Sequence, residues 1–547
     1  MSGQRIVVVG SGPSAVHFAL TVLRKGHDVT MLDVGYAKPP AAAPEASLVA
    51  LKSALPDPVE YFLGKNFEGA LLPGAPGEYY GIPPSKEYVF RTPAGHAVES
   101  RGFAPLFSFA QGGLAQTWTA GCYPFSDVEL EDFPFSYAQL GPCYDEVARR
   151  IGVTGAADDL ARFFPLHAHL MEPLRLDRHS ALLLEQYEKH KASLNAQGCY
   201  FGRTRVATLS RDLGSRKACD YLGRCLWGCP SDSLYTPALT LAECRAFPNF
   251  RYAGGVRVTH FRFDTVGRVT RVIAEPVAGG EPQGFDAGRL VLAAGALSSS
   301  KIFLESIYRD SGELEKLGGL MDNRQILVPF VNLRLIGKSY EPQSYQYHLL
   351  GMGVETGSPK EYVHGQITTL KTGMVHPIMQ NLPCDLRTAA FLVRNLHAAL
   401  GIVNVNHHDT PRAENYVTLE PHDGAAAGEK ATGAGNPVRL AIHYSPPAGE
   451  GEFLRRSVGA VKRALRRLGC IVPPGMAHVR PMGASAHYAG TLPMSREKKC
   501  FSTSAFGQSH DFENLYIADG AAFPFLPAKN ITFTLMANAV RIAESAF

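Results

Sequence analysis

The chain has 547 residues, and its 54 Lys and Arg against 50 Asp and Glu leave a formal charge of +4, too small for its length to mark a nucleic-acid or membrane-surface binder. A hydrophobic fraction of 45% and a charged fraction of 19% describe a folded globular protein too long for one core, so two interleaved domains are expected. No apolar run is long enough to span a bilayer. A first strand beginning at Arg5 leaves no room for a secretory leader, so the expectation is a cytoplasmic protein, with export on a signal-bearing partner kept open.

The first elements form a βαβ unit. Residues 5–10 (RIVVVG) read as a buried parallel strand. A glycine turn follows, Gly10-Ser-Gly12-Pro-Ser-Ala15, then a helix with Ala15, Phe18, Ala19, Val22 and Leu23 on one face and Gly26 at its end. A second strand over 29–34 carries Asp33 near its end. Gly10 permits the tight turn, Gly12 lets the backbone approach a pyrophosphate, and Ala15 allows helix to pack on strand. The helix N-terminus offers free N–H groups to phosphate, and Asp33 can accept from a ribose diol. The unit predicts dinucleotide binding and does not separate FAD from NAD.

Further along, residues 37–58 are rich in Ala and Pro and read as a partly ordered excursion. Residues 111–125 (QGGLAQTWTAGCYPF) place Gly112 and Gly113 before Thr117, Trp118 and Thr119. Cys219, Cys225 and Cys229 cluster in CDYLGRCLWGC. A metal site would need a fourth ligand at usable spacing, so reduced structural cysteines are expected and no metal. Val258 lies in GGVRVTHF. Residues 289–300 (RLVLAAGALSSS) run from an apolar strand through Ala294 and Gly295 into a helix.

In the last third, Tyr340, Tyr345 and Tyr347 are open to two readings, stacking on a sugar face or packing a sheet. His407 and His408 read as an exposed loop, and 424–436 as a flexible one. Six basic residues between Arg455 and Arg467 have the spacing of a solvated helix face. Residues 483–495 (GASAHYAGTLPMS) contain His487, and residues 514–547 contain Asp519, Gly520 and Asn530, followed by Ile531 and Thr532. Asn530 suits an N-cap for a helix beginning near Ile531.

The segments 289–300, 483–495 and 514–547 together resemble the glucose–methanol–choline (GMC) oxidoreductases, and 132–155, 417–421 and 438–444 look like further segments of that family. The resemblance implies FAD. Its second contact would be the turn at Gly295, its adenine would meet the backbone of Val258, and Asp519, Gly520 and Ala521 would form the Asp-Gly turn at the cofactor. The final helix would point its N-terminus at the flavin. His487 matches the catalytic histidine and Asn530 its partner. Residues 111–125 resemble those of pyranose oxidases, where a histidine bonded to FAD stands at the position of Thr117. A threonine cannot form that link, so the FAD is expected to be non-covalent, with Thr119 near the flavin N5 edge.

The implied fold is α/β (α+β overall). A discontinuous Rossmann-like FAD-binding domain (1–125, 200–318, 478–547) would join a substrate-binding domain on a mainly antiparallel sheet with helices (126–199, 319–477). The implied reaction oxidises a CH–OH group of a sugar, glycoside, aminoglycoside-type intermediate or other alcohol by hydride transfer to flavin N5, with His487 as base. The electron acceptor would be O2, a quinone or a redox partner. Two alternatives remain open at this point: a redox-neutral lyase with structural FAD, and a non-enzymatic FAD-binding electron carrier. Oligomeric state is not legible.

Overall fold

The computed structural model describes residues 5–37, 45–70, 78, 80–371, 375–380, 382–421 and 438–547. Among them, five strands form a wholly parallel sheet in the order Leu515–Ile517, Arg289–Leu292, Arg5–Val9, Asp28–Leu32, Phe250–Ala253. The run from Ile6 to Val9 is buried, as an apolar β-branched segment in the centre of a covered sheet should be. Helix Pro13–Arg24 starts with Pro at its first turn, where the missing N–H is no loss. Ala15, Phe18, Ala19, Val22 and Leu23 are all buried, and Gly26 ends the helix in the left-handed region at φ 85°.

Helix Tyr137–Ile151 presents Leu140, Tyr144, Val147 and Ile151 on one stripe, and all four join the core of the parallel sheet. The Tyr144 hydroxyl lies 2.7 Å from Thr534 Oγ1 on the C-terminal helix, Thr532–Ala546. A segment expected in the substrate domain therefore packs on the dinucleotide unit, because its apolar stripe has its complement there. Strand pairing crosses the expected division elsewhere too. Val98–Arg101 runs parallel to Val438–His443, and Lys316–Gly318 pairs antiparallel with Tyr416–Pro421.

The other large sheet is antiparallel and seven-stranded among the described residues. Its central strands are Gln325–Asn332, Leu400–Asn406, Val363–Thr369 and Leu350–Val354, with Cys199–Arg203 at one edge. Alternate residues of these strands face a second apolar core shared with helix Glu450–Arg467. That helix buries Leu454, Val461, Ala464 and Leu465 and turns most of its basic residues to solvent.

Most of the Ala- and Pro-rich stretch is better ordered than its composition suggests. Leu48–Ala54 and Pro58–Leu63 are helices, and Leu48, Leu51 and Phe62 pack with Trp227. The glycine-rich segment 424–436 lies outside the described residues. No helix among the described residues is long and apolar enough to cross a membrane.

Candidate active site

The two sheets enclose a cavity of about 590 Å³, in the size range of small-molecule and cofactor pockets. Gly10, Gly12, Asp33, Gly113, Thr117, Trp118, Thr119, Val258, Ala294, Gly295, His487, Asp519, Gly520, Asn530, Ile531 and Thr532 all line it. Ala15 and Gly112 stand one layer back. Ala15 is buried in its helix, and the Gly112 N–H donates to Ser11 Oγ at 3.1 Å, tying the first glycine turn to the second.

One end of the cavity has the features of a dinucleotide cradle. A Cβ built on Gly12 meets nothing within 4 Å, so the backbone there faces open space. Asp33 sits just past its strand and accepts from Ser11 Oγ and, at 2.9 Å, from the Tyr252 hydroxyl, both at Oδ2. Burial pushes its carboxyl up to about 6 despite these donors. Asp519 accepts from Gly295 N (2.8 Å) and Ser299 Oγ (2.5 Å) through Oδ2 and from Ala521 N (3.0 Å) through Oδ1. It thereby joins the turn after strand Arg289–Leu292 to the Asp-Gly turn. Lys301, on the helix beginning at Ala296, lines the cavity with 5% exposure. Its nitrogen is 3.6 Å from Glu305 Oε1, beyond hydrogen-bonding distance. An open backbone cradle, a buried acid in reach of a diol and a buried cation, ion-paired with Glu305 and facing the cavity, together fit FAD. Thr117 donates to Leu114 O at 3.1 Å, and Trp118 Nε1 to Tyr235 O at 2.8 Å.

The other end is organised by a directed chain of hydrogen bonds. Asn323 donates through Nδ2 to the carbonyls of His407 and Pro527, each at 2.8 Å, so its Oδ1 must be the acceptor that faces His487 Nδ1 at 3.0 Å. His487 therefore carries its proton on Nδ1, and Nε2 is left with a lone pair. Asn530 Nδ2 lies 3.3 Å from that Nε2, while Asn530 Oδ1 accepts from Gln366 Nε2. Burial and the nearby Arg480 guanidinium hold His487 down to about 4, so at neutral pH it is an uncharged base. Replacing Asn323 with Asp keeps an acceptor on Nδ1 but adds a negative charge beside the ring. The expected result is a pH–rate midpoint raised by about one to three pH units, read from substrate reduction of the flavin between pH 4 and 9. An unmoved midpoint would remove Asn323 from its orienting role.

The loop that carries His487 is conformationally demanding. Ala486 has φ 59° and Thr491 φ 87°, a region costing non-glycine residues about 1–3 kcal/mol each. Its conformation is held by neighbours. Asp322 accepts from Gly483 N at 2.6 Å and from Ser485 Oγ, and Ser300 Oγ is 2.8 Å from Thr491 Oγ1.

The structure corrects the expectations for Asn530 and for the 407–408 pair, decides the open reading of the tyrosines, and agrees with the expectation of reduced cysteines. Asn530 does not cap the last helix. That helix starts at Thr532 with Ile531 at the cap position and no side-chain cap, because the Asn530 amide is committed to Gln366 and His487. The helix N-terminus still faces the cavity through Ile531, Thr532 and Leu535. His407 and His408 are no exposed loop. His407 is 2% exposed and packs on Phe453, and its carbonyl anchors Asn323. Tyr345 and Tyr347 do not line the cavity; they pack edge to face, with the Tyr345 hydroxyl 3.4 Å from Thr119 O. Tyr340 packs on His397. Cys219, Cys225 and Cys229 are free thiols packed against the core, and burial pushes Cys219 up to about 12. Asn323, Gln366, Arg480, Gln325, Asn404 and Lys301 escaped the sequence reading. Single amides in otherwise apolar strands were visible, but nothing local assigned them to a site.

Comparison with known proteins bears on the kind of enzyme. Residues 475–539, which carry His487 and Asn530, match the GMC oxidoreductase family model. The chain is 24% identical to paromamine 6'-oxidase of Streptomyces fradiae over 99% of its own length and 90% of that protein's. It is 22% identical to 2-methyl-1,2-propanediol dehydrogenase of Mycolicibacterium austroafricanum, covering 98% and 94%. The chain carries the C-terminal domain of the GMC oxidoreductases. Among solved structures, pyridoxine 4-oxidase from Mesorbium loti shares the fold, with a TM-score of 0.60, 14% identity and 99% of both chains covered. An FAD-dependent oxidoreductase from Chaetomium thermophilum gives a TM-score of 0.57 at 13% identity, covering 99% and 98%. With these relatives, the protein is an FAD-dependent oxidoreductase that acts on CH–OH donors.

Proposed function

We propose that the enzyme oxidises a hydroxyl of a small polyhydroxylated molecule, with His487 as the base. The observation that carries the reading is the directed chain Asn323–His487–Asn530–Gln366, which presents an unprotonated imidazole nitrogen and an amide donor side by side in the cavity. A substrate hydroxyl placed between them would donate its proton to His487 Nε2 while its oxygen accepts from Asn530 Nδ2. Gln366 holds the Asn530 amide in the orientation that makes this donation available. The N-terminus of helix Thr532–Ala546 favours negative charge at the same place. Gly12, Asp33, Lys301 and Asp519 are the residues that would hold FAD, without a covalent bond because Thr117 has no ring nitrogen to offer. Bound FAD supplies the hydride acceptor.

Support for a polyol comes from two sides. The names of the relatives specify aminoglycosides and a small diol, and the cavity roof is rich in amides. The relatives include oxidases and a dehydrogenase, so the reoxidant is oxygen or a separate acceptor such as a quinone or redox partner.

The test is anaerobic titration of the yellow holoenzyme with alcohols, diols, sugars, glycosides and aminoglycosides, followed by admission of air. Bleaching by one class establishes oxidation and names the class, and recovery in air identifies oxygen as acceptor. A flavin that no hydroxylated compound bleaches would overturn the proposal. Because His487 must be neutral to accept a proton and is held at about 4, reduction should rise with pH through that value and stay level from about pH 6 upward. A profile still rising between pH 7 and 8 would point to a different base.

A further inference from the structure

The wall of the cavity beyond His487 and Asn530 is built from one face of the antiparallel sheet. Leu327, Asn404 and Gln366 are register partners in one row across three adjacent strands, and Gln325 and Ile402 lie two residues along on the same face. All five line the cavity. The row thus mixes aliphatic carbon with neutral amides, and Asn404 Oδ1 is buried with no hydrogen-bond partner among the described residues.

Arg480 closes this wall, and it is held rigidly. Its Nε donates to Glu78 Oε1 at 2.8 Å and its Nη1 to Gln325 Oε1 at 2.6 Å. The guanidinium carbon sits 4.7 Å from the centre of the Tyr80 ring. No partner for Nη2 stands among the described residues, and Arg480 lines the cavity. Glu78 is the acid nearest to it, and both its oxygens are engaged, Oε2 with His478 Nε2 at 2.9 Å. Among the described residues the acids that line the cavity are Asp33, Glu305 and Asp519, which belong to the end where the glycine turns lie.

We infer that Arg480 makes this a site for hydroxylated substrates that present an oxygen acceptor, such as a hydroxyl, amide carbonyl or carboxylate, and disfavours those that present an ammonium there. This rests on the proposed oxidation of a polyol and narrows its substrate class. The reason is twofold. A guanidinium has only donors, and so has an ammonium, so the two cannot hydrogen-bond and they repel at short range in a partly dry wall. A hydroxyl can instead accept from Arg480 and donate to Asn404 Oδ1, and a carboxylate gains a charge-assisted bond.

The experiment is a binding titration on the oxidised holoenzyme, read as perturbation of the flavin spectrum and needing no turnover. The probes are glucuronate, N-acetylglucosamine, glucose and glucosamine at about pH 6, where the free amine is protonated. The expected Kd is at least about tenfold higher for glucosamine than for N-acetylglucosamine or glucuronate. Arg480→Gln should erase or invert that order, because Glu78 is then released toward the cavity. Arg480→Lys, which keeps the charge, should preserve the discrimination against glucosamine while weakening glucuronate binding. Glucosamine binding as tightly as the others, an unchanged order in Arg480→Gln, or no spectral change with any probe would overturn the inference. Binding in the expected order with a flavin that no substrate bleaches would instead overturn the oxidation and leave this assignment standing.

Discussion

His487→Ala should yield a yellow protein that its own substrate scarcely bleaches. The side chain is packed among groups that do not depend on it for their fold, and none of its partners lies among the glycine turns, Asp33 or Asp519, so FAD retention should be normal. What is lost is the proton acceptor. Positioned general bases contribute about 10²–10⁴-fold, and the reductive half-reaction should slow by that factor. The readout is stopped-flow reduction under anaerobic conditions beside the flavin-to-protein ratio. The residual rate should no longer follow the wild-type pH profile, since no group titrating near about 4 remains in contact with the substrate oxygen. A yellow variant reduced at the wild-type rate would show that His487 is not the base, whatever its place in the cavity.

Gly12→Leu should fold and remain colourless. Gly12 has φ −66°, a conformation open to any residue, and a Cβ there meets no atom within 4 Å. The isobutyl group would project into the space where a pyrophosphate must approach the backbone. The expected result is a monodisperse apoprotein, with a circular dichroism spectrum like that of the wild-type apoprotein, that added FAD does not reconstitute. Gly10 offers the contrast. It has φ 96°, and a Cβ there would stand 2.8 Å from Ala293 O on the neighbouring strand's turn. Gly10→Ala should therefore lose stability as well as cofactor. If Gly12→Leu were isolated fully loaded with FAD, the first glycine turn would not be the pyrophosphate site.

Much of the cofactor half was legible in the sequence because it is made of local signals. The strand at 5–9, the turn, the helix ending before Gly26 and Asp33 follow one another within a single βαβ unit, and each step has a short-range cause: a β-branched run, a glycine at positive φ, an apolar helical face. The same holds for Gly295 and Asp519, each at a strand end. Boundaries held to within a residue or so, as with the helix expected near Ile531, which begins at Thr532.

The domain division was less legible. Helix Tyr137–Ile151 announced its apolar stripe but not the surface that would cover it. The pairing of Val98–Arg101 with Val438–His443 joins strands more than three hundred residues apart, and no local pattern encodes such a partner. The paired histidines at 407 and 408 looked polar and loop-like, yet His407 is buried: its carbonyl accepts from Asn323, its Nδ1 faces the carbonyl of Arg324, and its ring packs on Phe453.

By itself the sequence determined the βαβ unit at its start, the presence of His487 and Asn530 near a final helix, and the likeness of that C-terminal segment to the GMC oxidoreductases. Those features depend on contiguous residues and on backbone demands that only certain residue types meet. The tertiary structure alone decided the tautomer of His487, the orientation of Asn530, and the roof of Gln325, Asn404 and Gln366 with Arg480 at its edge. These depend on which donor faces which acceptor across strands and loops distant in the chain. An amide or a guanidinium has no assigned role until folding determines what stands opposite it.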